Sequence, residues 1–260
     1  MPNYSQIAKD ARLKVLDLIY QAQTSHVGSN LSCIDILAVL FEKIDLDKDK
    51  FVLSAGWKAA SLYYFLWRKG RITEEELNSF CKEGSKFIGL AEPIIPEIMI
   101  AGGSMGMGLP GAVGLALAKK IKREPGQVYV LMSDGELQCG TFWESMLIIN
   151  HHKLDNITVI VDVNGLQAMG KTKDILEIPE VENDTFDGHD YQDIERGLVH
   201  CCGSDVMLCK TIKGKGWKRA EDNNLYHYKQ LSYDEYVEAK AEINGEIPPK
   251  NEMPELRKAV

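Results

Sequence analysis

The sequence has 260 residues, a length for one large domain or two small ones, with 45% hydrophobic and 26% charged residues. These proportions are those of an ordinary globular chain, and they exclude a disordered, collagen-like or coiled-coil protein. The formal net charge is −8, so general attraction to nucleic acid or to an anionic membrane is not expected. Any phosphate group that the protein binds must therefore be held by a local site.

Three features of the sequence bear on its cellular location. No apolar run approaches the ~20 residues needed to cross a bilayer. Residues 1–6 lack the basic and then apolar pattern of a signal peptide. The six cysteines include no C-x-x-C pair and no histidine at metal-ligand spacing. We therefore expect reduced thiols in a cytoplasmic protein.

The N-terminal third of the chain predicts helices around one short strand. Apolar residues recur at helical spacing in three segments, and a short apolar run reads as a strand. Thr73 followed by Glu76 is a capping pattern that opens a fourth helix. We expect helices over residues 7–21, 32–41, 57–67 and 73–80 and a strand over residues 51–54.

From residue 101 onward, strands and helices alternate after a glycine-rich stretch. We expect strands over residues 128–132, 157–161 and 206–210, and helices over residues 112–123, 138–151 and 190–200. Short apolar strands separated by helices indicate an α/β fold with an open, mostly parallel sheet and helices on both faces. The sequence thus predicts one domain over residues 1–240 and a loosely attached, proline-containing tail over residues 241–260.

Polar side chains follow two neighbouring strands, at the edge where open parallel sheets bind ligands. Asp134 and Asn164 stand 30 positions apart, the length of one strand–helix–strand unit, so they should lie side by side. Mg²⁺ prefers oxygen ligands and commonly takes one or two carboxylates together with substrate phosphates. Gly135 allows close approach of a phosphate to the backbone. Two ordinary turns, Asp-Gly and Asn-Gly, are the alternative explanation, but their joint occurrence at this spacing favours a metal site.

This pair resembles the thiamine-diphosphate motif, and the rest of the chain resembles the N-terminal half of transketolases. The resemblance covers roughly residues 5–240. The matching stretches, in order, are residues 25–32 (SHVGSNLS), 49–54 (DKFVLS), 103–109 (GSMGMGL), 187–190 (DGHD) and 211–216 (TIKGKG).

The resemblance implies a thiamine diphosphate cofactor held through Mg²⁺, with Ca²⁺ or Mn²⁺ as alternative metals. It implies that Asp134 and Asn164 bind the metal through their side chains and Leu166 through its carbonyl group. The residues that it places at the cofactor are Gly103, Ser104, Met105, Asp134, Gly135, Glu136, Asn164, Lys213 and His227.

Two histidines are the catalytic residues that the resemblance implies. His26 and His227 match positions near the reacting carbon and the diphosphate. Histidines there can move protons at neutral pH and stabilise an alkoxide as a carbon–carbon bond breaks. A surface histidine in a tyrosine-rich loop is the alternative explanation for His227.

The resemblance also implies a partner subunit. Full transketolases continue with a pyrimidine-binding domain, which carries the glutamate that activates the aminopyrimidine ring. We therefore expect this chain to be the N-terminal subunit of a split enzyme, inactive until a C-terminal subunit with that domain completes an α2β2 assembly.

Departures from the family pattern bear on the substrate. Trp57 and Leu90 stand where the family has histidines that contact the hydroxyl groups of a ketose donor, and Cys139 replaces a glutamate. A site built to bind hydroxyl groups discriminates for them by ~10⁴-fold or more in favourable cases. We therefore expect a specialised enzyme that transfers a two-carbon ketol or acyl unit with an altered donor or acceptor. Restoration of the hydroxyl contacts by neighbouring residues is the alternative.

Two other functions remain open at this point. The chain could be a non-catalytic scaffold or binding subunit, although the intact pair of Asp134 and Asn164 argues against this. It could also be the alpha subunit of a 2-oxo acid dehydrogenase, which shares the metal motif. The DKFVLS and TIKGKG segments favour a transketolase over that subunit.

Overall fold

The computed structural model describes residues 2–177, 184–203 and 205–246. Within these residues, five parallel strands form a sheet in the order β1-β2-β3-β7-β6, and two short antiparallel strands form a separate hairpin. The strands are β1 (Lys50–Leu53), β2 (Val128–Ser133), β3 (Ile157–Val163), β4 (Leu166–Gln167), β5 (Gly170–Lys171), β6 (Asp184–Asp187) and β7 (Val206–Lys210).

Helices connect the strands and cover the sheet. They are α1 (Tyr4–Ala22), α2 (Val27–Ser32), α3 (Ile34–Lys43), α4 (Ala59–Arg68), α5 (Glu74–Asn78), α6 (Gly108–Lys122), α7 (Gly140–His152), α8 (Thr172–Ile175), α9 (Tyr191–His200) and α10 (Tyr233–Asn244). Short 3-10 turns lie at Gly56–Lys58, Asp134–Gln138 and Asn224–His227. None of the helices in the described ranges is long and apolar enough to span a membrane.

The two faces of the sheet bury separate apolar clusters. Successive residues of a strand point to opposite faces, and accordingly Phe51 and Leu53 join the larger cluster while Val52 joins the smaller. The larger cluster contains the buried residues of α1, α3 and α4, and the smaller contains those of α6 and α7. The predicted parallel α/β sheet with helices on both faces is confirmed.

The register of β2 and β3 sets the position of the polar turns. Ser133 pairs with Asp162 at the carboxyl ends of these two strands. Asp134 and Asn164 therefore leave adjacent strands at the same edge of the sheet. Both turns lie where an open parallel sheet leaves a crevice for ligands.

Several elements differ from the sequence expectations, among them the short β4, β5 and α8, which were not predicted. The helix expected over residues 32–41 is interrupted at Cys33, where ψ is 0°, so α2 and α3 are separate helices. Strand β6 is the edge of the sheet and its residues are mostly polar and exposed, which hid it from a search for apolar runs. Helix α10 is mostly polar, and it packs on α1 by stacking Tyr236 on Tyr20 at 4.1 Å.

The predicted boundary after residue 240 falls within α10, which ends at Asn244. Residues 247–260 of the predicted tail lie outside the described residues. The division into a domain and a tail therefore stays a prediction.

Candidate active site

The two polar turns are joined directly by hydrogen bonds. One carboxylate oxygen of Asp134 accepts from the backbone N–H of Gly165, at 2.7 Å, and from the hydroxyl of Thr172, at 3.0 Å. The other oxygen accepts from the backbone N–H of Gly135. The predicted neighbourhood of Asp134 and the Asn164 turn is thus present in the structure.

The amide of Asn164 is oriented by neighbours on both sides. Its Nδ2 donates to Asp162 at 3.3 Å, and its Oδ1 accepts from the backbone N–H of Leu166 at 3.2 Å. A nitrogen beside a carboxylate and an oxygen beside an N–H group define one orientation of the amide. The carbonyl oxygen of Leu166 accepts from Lys213 Nζ at 3.2 Å. The three proposed metal ligands therefore lie in two adjacent turns.

These oxygen atoms form a donor set that suits a hard divalent cation. In the described ranges, no group of three His, Cys, Asp or Glu side chains forms a metal site. The candidate here consists instead of one carboxylate, one amide and one backbone carbonyl. Burial, with the charge of Asp162 adding to it, raises the pKa of Asp134. A bound cation would favour the ionised form of Asp134, so the residues present fit a metal ion.

A buried ion pair contacts this site through Asp162, which accepts the hydrogen bond from Asn164. Lys58 and Asp162 are both completely buried and bond to each other. Asp162 also accepts hydrogen bonds from Ser32, on α2, and from Thr211. Burial works against both charges, but their mutual attraction raises the pKa of Lys58 and lowers that of Asp162. The sequence analysis did not single out Lys58. Its position next to Trp57, which was singled out, is the sequence feature that could have identified it.

A second cluster contains His26, His227 and Lys213. The imidazole centroids of His26 and His227 are 5.0 Å apart, and the backbone N–H of His26 donates to the carbonyl of His227 at 3.0 Å. His26 has the left-handed φ of 69°, which is uncommon for a residue other than glycine. Lys213 Nζ lies 2.8 Å from His227 Nδ1. The fold therefore brings together three of the predicted site residues from distant parts of the chain.

Each member of this cluster has a shifted pKa. Burial and the charge of Lys213 lower the pKa of His26 to about 4. Burial, Lys213 and His26 lower the pKa of His227 to about 3. Burial and the charge of Lys58 lower the pKa of Lys213 to about 8. At pH 7 both imidazoles are therefore neutral, and Lys213 donates a hydrogen bond to His227 Nδ1.

The glycine-rich loop contacts the turn that begins at Asp134, through Glu136. Ser104 and Met105 are exposed on this loop, and Gly103 is half-buried. Gly106 follows with φ of 77°, and its backbone N–H donates to Glu136 at 3.0 Å. The loop residues predicted to border the cofactor thus have a surface free for contact.

Glu136 is completely buried beneath that loop. Its carboxylate accepts from Ser54, at 2.5 Å, from the hydroxyl and backbone N–H of Ser133, and from the N–H of Gly106. These hydrogen bonds join Glu136 to the glycine-rich loop. Its predicted contact with the cofactor stays a prediction.

The side chain of Gln167 covers the approach to Gly135. An added Cβ at Gly135 would lie 3.0 Å from Cδ of Gln167, whose Nε2 donates to Gln138 at 2.8 Å. A ligand that reaches the backbone of Gly135 would therefore also meet Gln167, which the sequence analysis did not single out.

The two substituted positions lie near the same loop. The carbonyl of half-buried Trp57 accepts from Asn30, on α2, at 3.1 Å. Leu90 Cδ1 would be 3.3 Å from a Cβ added at Gly103. Tyr228, which the sequence analysis missed, lies edge-on to His26 at 5.6 Å. The phenol group of Tyr228 thus borders the imidazole cluster, while Leu90 borders Gly103 of the glycine-rich loop.

Comparisons with known proteins agree with this geometry. A family profile with the description "Transketolase, thiamine diphosphate binding domain" matches residues 4–254. The chain is 32% identical to an apulose-4-phosphate transketolase subunit of Actinobacillus succinogenes, over 92% of this chain and 95% of the relative. It is 28% identical to the 6-deoxy-6-sulfo-D-fructose transketolase subunit SqwG of a Clostridium species, over 90% of this chain and 94% of the relative.

A solved structure shows the same fold. The chain superposes on the transketolase of Campylobacter jejuni with a TM-score of 0.87 at 28% identity. The match covers 95% of this chain and 44% of that transketolase. The chain thus spans less than half the length of that enzyme and nearly the whole length of the two relatives called subunits.

Proposed function

Because this chain belongs to the transketolase family, through its thiamine diphosphate binding domain, we propose that it is the N-terminal subunit of a split transketolase-type enzyme. The family predicted from the sequence motifs is confirmed, and so is its fold. The reaction class is transfer of a two-carbon ketol unit from a donor to an acceptor. The observation that carries the proposal is the hydrogen-bonded contact between the Asp134 turn and the Asn164 turn.

Specific residues would hold the cofactor and its metal. Asp134, Asn164 and the carbonyl of Leu166 would bind Mg²⁺, or Ca²⁺ or Mn²⁺ in its place, beside the backbone of Gly135. The exposed loop of Gly103, Ser104 and Met105 would lie along the ring system. When bound, thiamine diphosphate supplies the nucleophilic carbon that takes up the two-carbon unit.

The protein's contribution near the reacting carbon comes from neutral imidazoles. With pKa values of about 4 and about 3, His26 and His227 would be neutral near pH 7 and could donate and accept hydrogen bonds at substrate oxygen atoms. The bond from Lys213 to His227 Nδ1 places the histidine's proton on Nε2. The ammonium group of Lys213 would also attract the diphosphate. Glu136 would border the cofactor and also hold the glycine-rich loop through Gly106.

A second subunit would complete the site. Two relatives that match this chain along nearly their whole length are named as subunits, which supports a partner for this chain. We propose that the partner carries the pyrimidine-binding domain and that two copies of each chain assemble as α2β2. The free thiols of the six cysteines agree with the cytoplasmic location that we also propose.

The substrate is proposed to be a specialised one. The names of the two relatives specify apulose 4-phosphate and 6-deoxy-6-sulfo-D-fructose as sugars on which transketolases of this kind act. By the family pattern, Trp57 and Leu90 replace two histidines of the substrate site by more apolar groups, which disfavours a polyhydroxylated donor that needs hydrogen bonds. We therefore expect the reconstituted enzyme to prefer another pair of substrates over xylulose 5-phosphate and ribose 5-phosphate. Highest turnover with that ordinary pair would contradict the specialised role.

The test of the proposed function compares two aspartate variants. Asp134→Ala should abolish Mg²⁺-dependent binding of thiamine diphosphate, measured by calorimetry, and the activity of the complex with the partner chain. Asp155→Ala is the matched control. This exposed aspartate precedes the amino end of β3, whereas Asp134 follows the carboxyl end of β2. Asp155→Ala should change neither quantity. Unchanged binding and turnover in Asp134→Ala would refute the metal site at Asp134 and the catalytic role proposed for this chain.

A further inference from the structure

A buried ionic network of Arg12, Asp35 and His189 contacts the loop that carries Lys213. Arg12 on α1 donates two hydrogen bonds to Asp35 on α3, at 3.1 and 2.5 Å. Burial opposes the charge of Asp35, but hydrogen bonds from His189 and Arg12 keep its pKa below the usual value. Replacing a buried ion pair by apolar residues is often neutral or stabilising. Stability alone is therefore a weak explanation for the presence of this ion pair. The other hydrogen bonds of Arg12 and Asp35 point to its role.

Two members of the network also bind the loop over residues 211–216. Arg12 Nε donates to the carbonyl of Lys215 at 3.1 Å. The backbone N–H of Ile212 donates to His189 Nε2 at 2.8 Å, and His189 Nδ1 lies 2.7 Å from Asp35. An N–H donor at Nε2 requires that this nitrogen carries no proton. His189 is therefore neutral, with its proton on Nδ1 pointing at Asp35.

The two attachment points lie on either side of Lys213. Ile212 precedes it and Lys215 follows two positions later, while the intervening Gly214 donates to the carbonyl of Gly28 at 2.9 Å. The stem of Lys213 runs over Gly28, where an added Cβ would lie 3.2 Å from Cγ of the lysine. The lysine is only 1% exposed. Its backbone is thus held at three points while its ammonium group reaches the carbonyl of Leu166.

We propose that Arg12, Asp35 and His189 are positioning residues that clamp the Lys213 loop, with His189 acting by accepting the hydrogen bond from Ile212. The inference rests on the proposed function, in which Lys213 attracts the diphosphate. A lysine side chain is long and flexible, so a fixed backbone reduces the entropy lost when its ammonium group binds an anion. The network therefore links α1 and α3 to the position of Lys213 and, through it, to the affinity for the cofactor.

Two substitutions of His189 separate its two hydrogen bonds. In His189→Gln, the amide oxygen can still accept from Ile212 at the place of Nε2. In His189→Asn, the amide nitrogen can still donate to Asp35 at the place of Nδ1, but Ile212 loses its acceptor. Thiamine diphosphate affinity is measured by calorimetry at saturating Mg²⁺ on the complex with the partner chain, well below the unfolding temperature of each variant.

We expect His189→Asn to weaken the affinity about tenfold or more, which is the usual effect of losing an outer contact of this kind. His189→Gln should stay within about threefold of the wild-type value, because it keeps the acceptor. Equal losses in the two variants, a larger loss in the Gln variant, or no loss in the Asn variant would each overturn the proposal.

A double substitution tests whether the effect passes through Lys213. In a Lys213→Met background, His189→Asn should cause no further loss of affinity, because the group that it positions is gone. Additive losses would show that His189 acts independently of Lys213 and would refute the clamp.

A spectroscopic measurement tests the geometry without the cofactor. The ¹⁵N chemical shifts of the His189 ring in this chain should show a proton on Nδ1 and none on Nε2, and the reverse would overturn the proposal. If the wild-type complex bound no thiamine diphosphate, the proposed function would fail. The tautomer of His189 would still test its hydrogen bond to the Lys213 loop, independently of cofactor binding.

Discussion

At the scale of single residues, burial decides which groups carry charge at the candidate site. His26 and His227 are partly buried next to the cationic Lys213, and both effects disfavour a second positive charge. Their chemistry near pH 7 is therefore that of neutral imidazole. The resemblance to transketolases implied a catalytic role for both histidines, but their protonation state follows from the packing.

The titration of the two histidines provides the first prediction. Because their pKa values are lowered from 6.5 to about 4 and about 3, both rings should remain neutral as the pH falls through 6.5. Unfolded chains bind these protons first, so the free energy of unfolding should fall progressively as the pH drops from 6.5 to about 4 for His26 and to about 3 for His227. An NMR titration of the ring protons measures both midpoints. A midpoint near 6.5 for both residues would contradict this.

Lys58 provides the second prediction at this scale. Lys58→Met leaves the fully buried Asp162 without its cation, which should lower the free energy of unfolding by about 3–5 kcal/mol. Urea unfolding of the purified chain measures the loss. The double variant Lys58→Met, Asp162→Asn removes both charges and should lose less than the single variant. A loss below about 1 kcal/mol in Lys58→Met would show that this pair is not held as the structure has it.

At the scale of elements, the glycine-rich segment lets backbones cross closely. Gly56 donates its N–H to the carbonyl of Gly102 at 2.8 Å. A Cβ added at Gly56 would clash with the same carbonyl oxygen. The start of α6 makes a similar approach, because a Cβ at Gly108 would lie 2.5 Å from the Cα of Ser54. These contacts bring the loop before α6 against the turn after β1. These glycines are therefore needed for the close approach of the two backbones.

Two glycines of α6 give a matched prediction. Gly108→Ala should destabilise the chain by about 1–3 kcal/mol, because the new Cβ meets backbone that cannot move aside. Gly114→Ala, in the same helix, places a Cβ in open space and should stabilise it by about 0.5–1 kcal/mol through helix propensity. Thermal unfolding of the two variants compares them directly. The same sign of change in both would refute the close approach.

At the scale of the whole molecule, the site is open along the carboxyl edge of the sheet. Apolar side chains are exposed around it and on the nearby helix α7. The exposed residues are Met105, Met107, Leu147, Ile148 and Tyr228. The proposed partner subunit would cover these side chains and shield the imidazoles from water.

The assembly provides the prediction at this scale. Native mass spectrometry of the tagged chain recovered from its own cells should show a heterotetramer of two copies of this chain and two of a second thiamine-enzyme subunit, with thiamine diphosphate bound. A cofactor-free homodimer that takes up no partner after addition of Mg²⁺ and thiamine diphosphate would contradict the split-enzyme proposal.

Much of the fold was predictable because local patterns carry it. Apolar runs of strand length located β2, β3 and β7 within one or two residues, and the capping pair of Thr73 and Glu76 forms the box that opens α5. Strand β6 and helix α10 were missed because their residues are mostly polar. Both depend on tertiary contacts, with β7 and with α1 respectively, more than on their own apolar pattern.

The sequence by itself determined the family, the parallel sheet and the spacing that brings Asp134 beside the Asn164 turn, because these follow from ordered motifs and from one strand–helix–strand repeat. Only the tertiary structure decided that Lys58 neutralises Asp162, that Glu136 is buried beneath the glycine-rich loop, and that His189 binds the loop of Lys213. These contacts join residues that are between 23 and 104 positions apart in the chain. Charge and hydrogen-bond partners depend on distances in space, which the order of residues does not contain.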